Sequence, residues 1–148
     1  MLTLADVLEA LTKNRPMAAS TVITEAVVDS RLVIPGSLFI ALQGERADGH
    51  EYVGDAFSHQ AGFALVEKEV KGNWETIDLR DPSNLGFPSV SLEPPLCLLV
   101  QNSLLALQQI ARFWRNRHEI RVIGITGSVG KSTTKESVAD VLSIRYRT

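Results

Sequence analysis

The sequence predicts an α/β fold in two modules: a small mixed domain over residues 1–101, and the opening of a parallel-sheet domain over 102–148. Three observations predict it. Short apolar runs, several rich in β-branched residues, alternate with stretches whose apolar residues recur every three or four positions, the pattern of strands alternating with amphipathic helices. The charge also changes sign along the chain, with 7 Lys and Arg against 14 Asp and Glu in 1–101, and 8 against 3 in 102–148. Finally, an apolar run, a glycine-rich loop, Lys-Ser and a helical pattern succeed one another between Arg121 and Arg145.

Taken in order, Thr3 and Asp6 form a capping-box pattern, and Leu4, Val7, Leu8 and Leu11 give a helix ending near Asn14-Arg15-Pro16. Val22 to Val28 reads as a strand leading into Asp29-Ser30-Arg31. Pro35-Gly36 suits the centre of a type II turn, and Ser37 to Leu42 follows as a second strand closed by Gly44. Asp48-Gly49 signals another turn. Val53, Ala56, Phe57 and Ala61 mark a helix stopped at Gly62, and Phe63 to Val66 returns as a strand. Glu67 to Pro95 holds four of the six prolines and reads mostly as loop, with Trp74 to Leu79 a short strand inside it. Leu96 to Val100 is a buried strand, and Asn102 or Ser103 caps a helix whose apolar face is Leu104, Leu107, Ala111 and Trp114, flanked by Leu105 and Ile110. Arg115, Arg117 and His118 fall at its end, where cations suit the helix dipole; nucleic-acid contact is the other use of such a cluster. Arg121 to Ile125 reads as a strand of a doubly covered parallel sheet, and Lys131 to Arg145 as a helix with Val138, Val141 and Leu142 inward. One strand-loop-helix unit cannot close such a sheet, so the expectation is a fragment of a longer enzyme.

Composition excludes several classes. With 148 residues, 45% hydrophobic and 22% charged, the chain is neither disordered nor repetitive. Its longest apolar runs, such as Leu96 to Val100, fall far short of the roughly 20 residues that span a bilayer. The N-terminus lacks a basic segment ahead of its apolar residues, unlike a secretory signal. A single cysteine, Cys97, makes neither an intrachain disulfide nor a zinc cluster. His50, His59 and His118 show no metal spacing. A cytoplasmic protein is expected, with neither membrane nor nucleic acid as partner.

The chemistry concentrates in Ile123-Gly124-Ile125-Thr126-Gly127-Ser128-Val129-Gly130-Lys131-Ser132-Thr133. This order of strand, glycine loop, Lys-Ser and helix is that of a phosphate-binding P-loop. Gly127 and Gly130 let backbone N–H groups turn in around phosphate oxygens, and the helix N-terminus points its positive end at the same anion. Lys131 can reach β- and γ-phosphates, and the Ser132 hydroxyl can ligate Mg²⁺. The strict pattern wants glycine at 125, where Ile125 stands, but Thr126 to Ser132 keeps the working part. An ordinary glycine turn before a helix would explain neither Lys131 nor Ser132.

With this loop, the chain resembles the Mur ligases, the ATP-dependent amide-forming family of peptidoglycan synthesis. Folylpolyglutamate synthetases share the loop, but not the segment Asp29-Ser30-Arg31, Pro35-Gly36-Ser37-Leu38-Phe39-Ile40-Ala41-Leu42, Gly44 and Asp48-Gly49-His50. Gly127 to Lys131 followed by Thr134-Lys135-Glu136 is most similar to the branch that joins D-alanyl-D-alanine to UDP-MurNAc-tripeptide through an acyl phosphate. The branch that adds the third amino acid is the alternative, with a folate-type ligase behind it.

The resemblance implies a UDP-substrate domain at 1–101 and the beginning of a central ATP-binding domain at 102–148. It further implies that ATP and Mg²⁺ are held by Thr126, Gly127, Ser128, Val129, Gly130, Lys131, Ser132 and Thr133, with Lys131 catalytic and Ser132 the metal ligand. Ser30 and Arg31, with Glu45, Arg46 and Ala47, would hold the UDP end. For Asp29-Ser30-Arg31 an Asx-type turn with a surface salt bridge is the competing explanation. Asp48, Gly49 and His50 are expected to shape the loop. The family's glutamate, histidine and lysine that complete the site lie outside these 148 residues, so this stretch is expected to bind without catalysing. The full-length parent is expected to be a monomer. The acidic character of 1–101 means that any UDP recognition rests on local groups rather than on net charge.

Overall fold

The computed structural model describes residues 1–45, 47–81 and 92–146. It divides into two compact units, Met1–His118 and Glu119–Thr148.

In the first unit, β1 (Leu2–Thr3) leads into α1 (Leu4–Thr12), whose capping box is present in both directions: Thr3 Oγ1 accepts from the Asp6 N–H, and the Asp6 carboxylate accepts from the Thr3 N–H at 2.8 Å. The expected strand at Val22 to Val28 is two strands. β2 (Val22–Ile23) pairs antiparallel with β1, while β3 (Ala26–Val27) pairs parallel with β4 (Leu38–Ile40). The chain changes sheets between them, where Thr24 donates its N–H to Gly36 and Leu38 donates to Glu25. Gly36 has φ +82°, as a type II turn at Pro35-Gly36 requires. A turn of 3-10 helix at Gly49–Tyr52 runs into α2 (Val53–Ser58), followed by β5 (Phe63–Val66), β6 (Glu75–Asp78), β7 (Leu96–Leu99) and α3 (Ser103–Asn116). β6 lies where a strand was expected inside the long loop. Of that loop, residues 82–91 lie outside the described residues.

The main sheet is parallel, in the order β3-β4-β5-β7-β6. Because side chains alternate along a strand, β4, β5 and β7 bury both faces, which is why they are apolar throughout. Leu38, Ile40, Phe63, Leu65, Leu96 and Leu98 pack under α1 and α3, and Phe39, Ala41, Ala64, Val66, Cys97 and Leu99 pack under α2. Trp74 closes the second layer, its ring 5.0 Å from that of Phe57. Burial pushes the Cys97 thiol up to about 12, a hydrogen bond with Thr76 opposing it, so this cysteine is an inert core residue.

α3 differs from expectation in two ways. It packs on α1 within the first unit rather than opening the second. Its inward residues are Ser103, Ala106 and Ile110, with Leu107 and Phe113 beside them, while Leu104 and Leu105 are exposed. Ala106 and Ile110 join the core cluster that α1 also builds, and Ser103 is buried beside Glu67. Asn102, not Ser103, is the cap, its Oδ1 accepting the Leu105 N–H at 2.8 Å, and Glu67 accepts the Ser103 N–H.

In the second unit the expected strand at Arg121 to Ile125 is absent among the described residues, and the segment has no regular secondary structure. A parallel strand needs a neighbour to satisfy its N–H and C=O groups, and the unit offers none. α4 (Lys131–Ser143) forms as expected, but none of its residues is buried: Val138 and Leu142 are half-covered beside Ile123, and Val141 is exposed.

Candidate functional site

In open α/β sheets ligands collect outside the carboxyl ends of the strands. The first unit has a cleft of about 960 Å³ there, at the ends of β3 and β4. Asp29, Ser30 and Arg31 leave β3 in a 3-10 turn and form one wall. Leu42, Gly44, Ala47 and Gly49 leave β4 and form another, Gly44 donating its N–H to the Ala47 carbonyl at 3.0 Å. Two segments that are separate in sequence thus line one cleft. Ser30 is buried; Arg31, Glu45 and Ala47 are exposed, and Glu45 sits in the loop without lining the cleft. Arg46 lies outside the described residues. Val28, Phe39, Tyr52 and Asp55 also line the cleft and were missed by sequence reasoning. For Tyr52 and Asp55 a signal existed, since their spacing of three on a helix start places them on one face.

Asp29 fulfils the structural reading completely. Its Oδ1 accepts from the Arg31 N–H at 3.0 Å and Nε at 2.9 Å, and Oδ2 accepts from Nη2 at 2.7 Å. The side-chain bond from Arg31, then the backbone bond, holds the Asp29 carboxyl down at about 2. The same geometry recurs at Asp78 and Arg80 beyond β6, so the Asp-x-Arg turn is a way of ending a parallel strand here. It does not exclude a binding role, because a guanidinium carries five N–H donors and Asp29 engages two of them.

His50 is fixed from both sides. Its Nε2 accepts the Glu67 N–H at 2.8 Å, so its Nδ1 must carry the proton given to Asp48 Oδ1 at 2.5 Å. Lys68 foremost, and then His50, holds the Asp48 carboxyl well below the usual range. Gly49 packs so tightly that a Cβ there would stand 2.7 Å from both N and O of Leu42. Asp48, Gly49 and His50 therefore shape the loop, tying it to the end of β5.

In the second unit the loop adopts the backbone that its glycines imply. Gly127 has φ +152° and Gly130 φ +78°, the latter being the N-cap of α4. The first turn of a helix leaves N–H groups without intrahelical acceptors, and no side chain caps these. Lys131 folds back over the loop and donates to the Gly127 carbonyl. Uncapped N–H groups and the Lys131 ammonium lie at one helix end, and Ser132 stands in the same first turn. This donor set suits a polyphosphate and its hard cation.

The chain thus joins a parallel α/β sheet with a cleft at its carboxyl edge to a glycine loop that opens a helix. The chain belongs to the Mur ligase family: residues 22–91 match the family model described as Mur ligase family, catalytic domain. It is 38% identical over 121 residues to the UDP-N-acetylmuramoyl-tripeptide--D-alanyl-D-alanine ligase of Synechocystis sp., covering 82% of this chain and 23% of the relative. The ligase of the same name from Bacillus subtilis is 38% identical over 136 residues, 92% of this chain and 26% of the relative. Among solved structures it is similar to MurF from Acinetobacter baumannii, with a TM-score of 0.69 and 27% identity over 98% of this chain and 28% of that one. MurF from Thermotoga maritima in complex with ADP is similar at a TM-score of 0.61 and 25% identity, over 93% of this chain and 25% of that one. The chain thus spans about a quarter of the length of the relatives it matches. Among the described residues no helix is long and apolar enough to cross a membrane.

Proposed function

We propose that the chain supplies the UDP grip and the ATP-phosphate grip of a ligase that joins D-alanyl-D-alanine to UDP-MurNAc-tripeptide. In that reaction ATP activates the tripeptide carboxylate as an acyl phosphate, and the amine of the dipeptide displaces phosphate to form the amide. The cleft beyond β3 and β4 holds the UDP end, through Ser30, the free N–H groups of Arg31, and the loop of Glu45, Arg46 and Ala47. The loop from Thr126 to Thr133 holds the triphosphate. Lys131 exchanges its bond to the Gly127 carbonyl for phosphate oxygens and offsets charge as the γ-phosphoryl leaves. Ser132 is the side chain that would hold Mg²⁺, which supplies further charge neutralisation when bound. The parent protein acts as a cytoplasmic monomer without nucleic-acid or membrane partners.

What carries this reading is that one alignment to the Bacillus subtilis ligase extends over 92% of the chain. The reading over the third-residue ligases rests on the names of those relatives. The 148-residue chain alone is expected to bind and not to turn over. Isothermal titration with UDP-MurNAc-tripeptide and with ATP should show two independent sites, and phosphate release should stay at background with both substrates present. Ligation by this chain alone, or failure to bind either nucleotide, would contradict the proposal.

A further inference from the structure

The turn at Asp48-Gly49-His50 is tied to the end of β5 through one imidazole. The His50 ring is 5% exposed, with Nε2 accepting the Glu67 N–H at 2.8 Å and Nδ1 donating to Asp48 Oδ1 at 2.5 Å. A neutral ring with its proton on Nδ1 does both. An imidazolium cannot, because both of its nitrogens are donors and neither accepts.

The two ends of the Glu67 bond differ in how firmly they are held. Glu67 follows directly on β5, where the Val66 carbonyl accepts the Val100 N–H at 2.8 Å, and its own carboxylate accepts the Ser103 N–H of α3 at 2.7 Å. The turn instead continues the cleft wall that carries Gly44 and Ala47, both exposed and joined by the Gly44 N–H to the Ala47 carbonyl. Glu67 is the post, and the turn is the part that can move.

The charges around the ring set the balance. Asp48 meets Lys68 through its other oxygen at 2.6 Å, and that bond foremost holds its carboxyl well below the usual range, so Asp48 stays ionised in mild acid. Its charge favours an imidazolium, and Lys68 on the same carboxylate offsets that preference. Glu67 turns its carboxylate to Ser103, while Glu51 on the turn and Asp55 on α2 are exposed. The end of β4 and the start of α2 meet the turn through Leu42 and Val53, and α3 meets Glu67 through Ser103, all three uncharged.

We propose that His50 is a proton-sensitive latch on the cleft wall. Neutral, it ties the turn to Glu67. On taking a proton from solvent at Nε2 it sets one N–H against another, gives up the Glu67 bond and frees the wall that carries Gly44 and Ala47. The sign follows from the bond being made by the neutral form: the latch is closed above the pH at which the ring charges and open below it. It stands on hydrogen bonds within the chain, whatever ligand the cleft takes.

The test is NMR of the ¹⁵N-labelled 148-residue chain between about pH 8 and about pH 5, the range in which imidazoles commonly change charge. At the upper end the His50 ring nitrogens should show the Nδ1–H tautomer. On acidification the Glu67 amide resonance should move in step with the ring. The protection of the Glu67 and Gly44 amides, corrected for intrinsic exchange, should each fall by about tenfold or more. The Leu96 amide, which donates to the Gly62 carbonyl at the other end of β5, should keep its protection. His50→Gln, checked for folding by circular dichroism and uncharged throughout, should abolish the pH response of Glu67 and Gly44. An Nε2–H tautomer at the upper end, a ring that stays neutral to the lower end, or a Glu67 amide indifferent to the ring would overturn the proposal. So would a Gly44 amide that keeps its protection, or a pH response that persists in His50→Gln. If that variant does not fold, the wild-type measurements decide alone.

Discussion

Lys131 and Arg31 are both cations beside a turn, but their surroundings give them different work. Arg31 is half neutralised by Asp29 in a bidentate pair, so it can orient a phosphate without contributing a full unpaired charge. Lys131 meets, among the described residues, a neutral carbonyl within its own loop. In a full-length ligase carrying this sequence, Lys131→Ala should therefore lower kcat by roughly a hundred- to a thousandfold, about 3–4 kcal/mol of transition-state stabilisation, and leave UDP-substrate affinity near wild type. Arg31→Ala should do the reverse, raising the dissociation constant for UDP about tenfold with a smaller change in kcat. Steady-state kinetics combined with titration separates the two, and equal effects on both quantities would refute the division of roles. These residues were legible in the sequence because their chemistry is local: Lys-Ser after glycines, and Arg two places after an Asx cap. Tyr52 and Asp55 were missed, because their spacing of three puts them on one helical face but does not say that the face lines a cleft formed by two other loops.

At the scale of elements, α1 and α3 are joined through Asp6. Its side chain is 4% exposed, completes the α1 capping box and pairs with both Arg15, at 2.7 Å, and Arg117 at the end of α3. Burial alone would raise its carboxyl, but hydrogen bonds from Arg15 and Thr3 outweigh that and hold it at about 2. A carboxylate depressed from 3.8 to about 2 on folding contributes about 2 kcal/mol that is fully present above pH 5 and lost as pH falls from about 4 through 2. Asp6→Asn should flatten that part of the acid-denaturation curve, and an unaltered curve would show that the pair contributes nothing. Gly49→Ala should destabilise by about 1–3 kcal/mol in urea titration, since the clash is with Leu42 backbone atoms that cannot rotate away. It should also weaken UDP binding by displacing the cleft loop, and a neutral result would mean that the loop yields freely. Thr3, Asp6 and Leu4 to Leu11 announced α1 because caps and periodicity act within one helix. The face of α3 was misjudged by about one residue because the burial of Ser103, Ala106 and Ile110 is set by tertiary packing. A leucine count along one helix does not contain it.

At the scale of the whole chain, the two units differ in how much of themselves they bury. The first has a doubly covered sheet with Phe39, Phe63, Leu65 and Leu98 fully enclosed, while α4 of the second buries none of its residues. Amide exchange should therefore be slowest in β4, β5 and β7 and faster by orders of magnitude in α4, and comparable protection in both would contradict this picture. The alternation of strands and helices was legible over most of the first unit because its core lies within these residues, while the split of Val22 to Val28 between two sheets was not. The strand expected at Arg121 to Ile125 is not formed because, among the described residues, the second unit places no strand beside it to take its N–H and C=O bonds. The central claim is that one chain carries two separate grips, one for UDP and one for a triphosphate. Its most direct test is titration of UDP-MurNAc-tripeptide into wild-type, Arg31→Ala and Lys131→Ala forms of the 148-residue chain. Wild type and Lys131→Ala should bind alike and Arg31→Ala about tenfold more weakly. Loss of binding in Lys131→Ala, or none in wild type, would contradict the account.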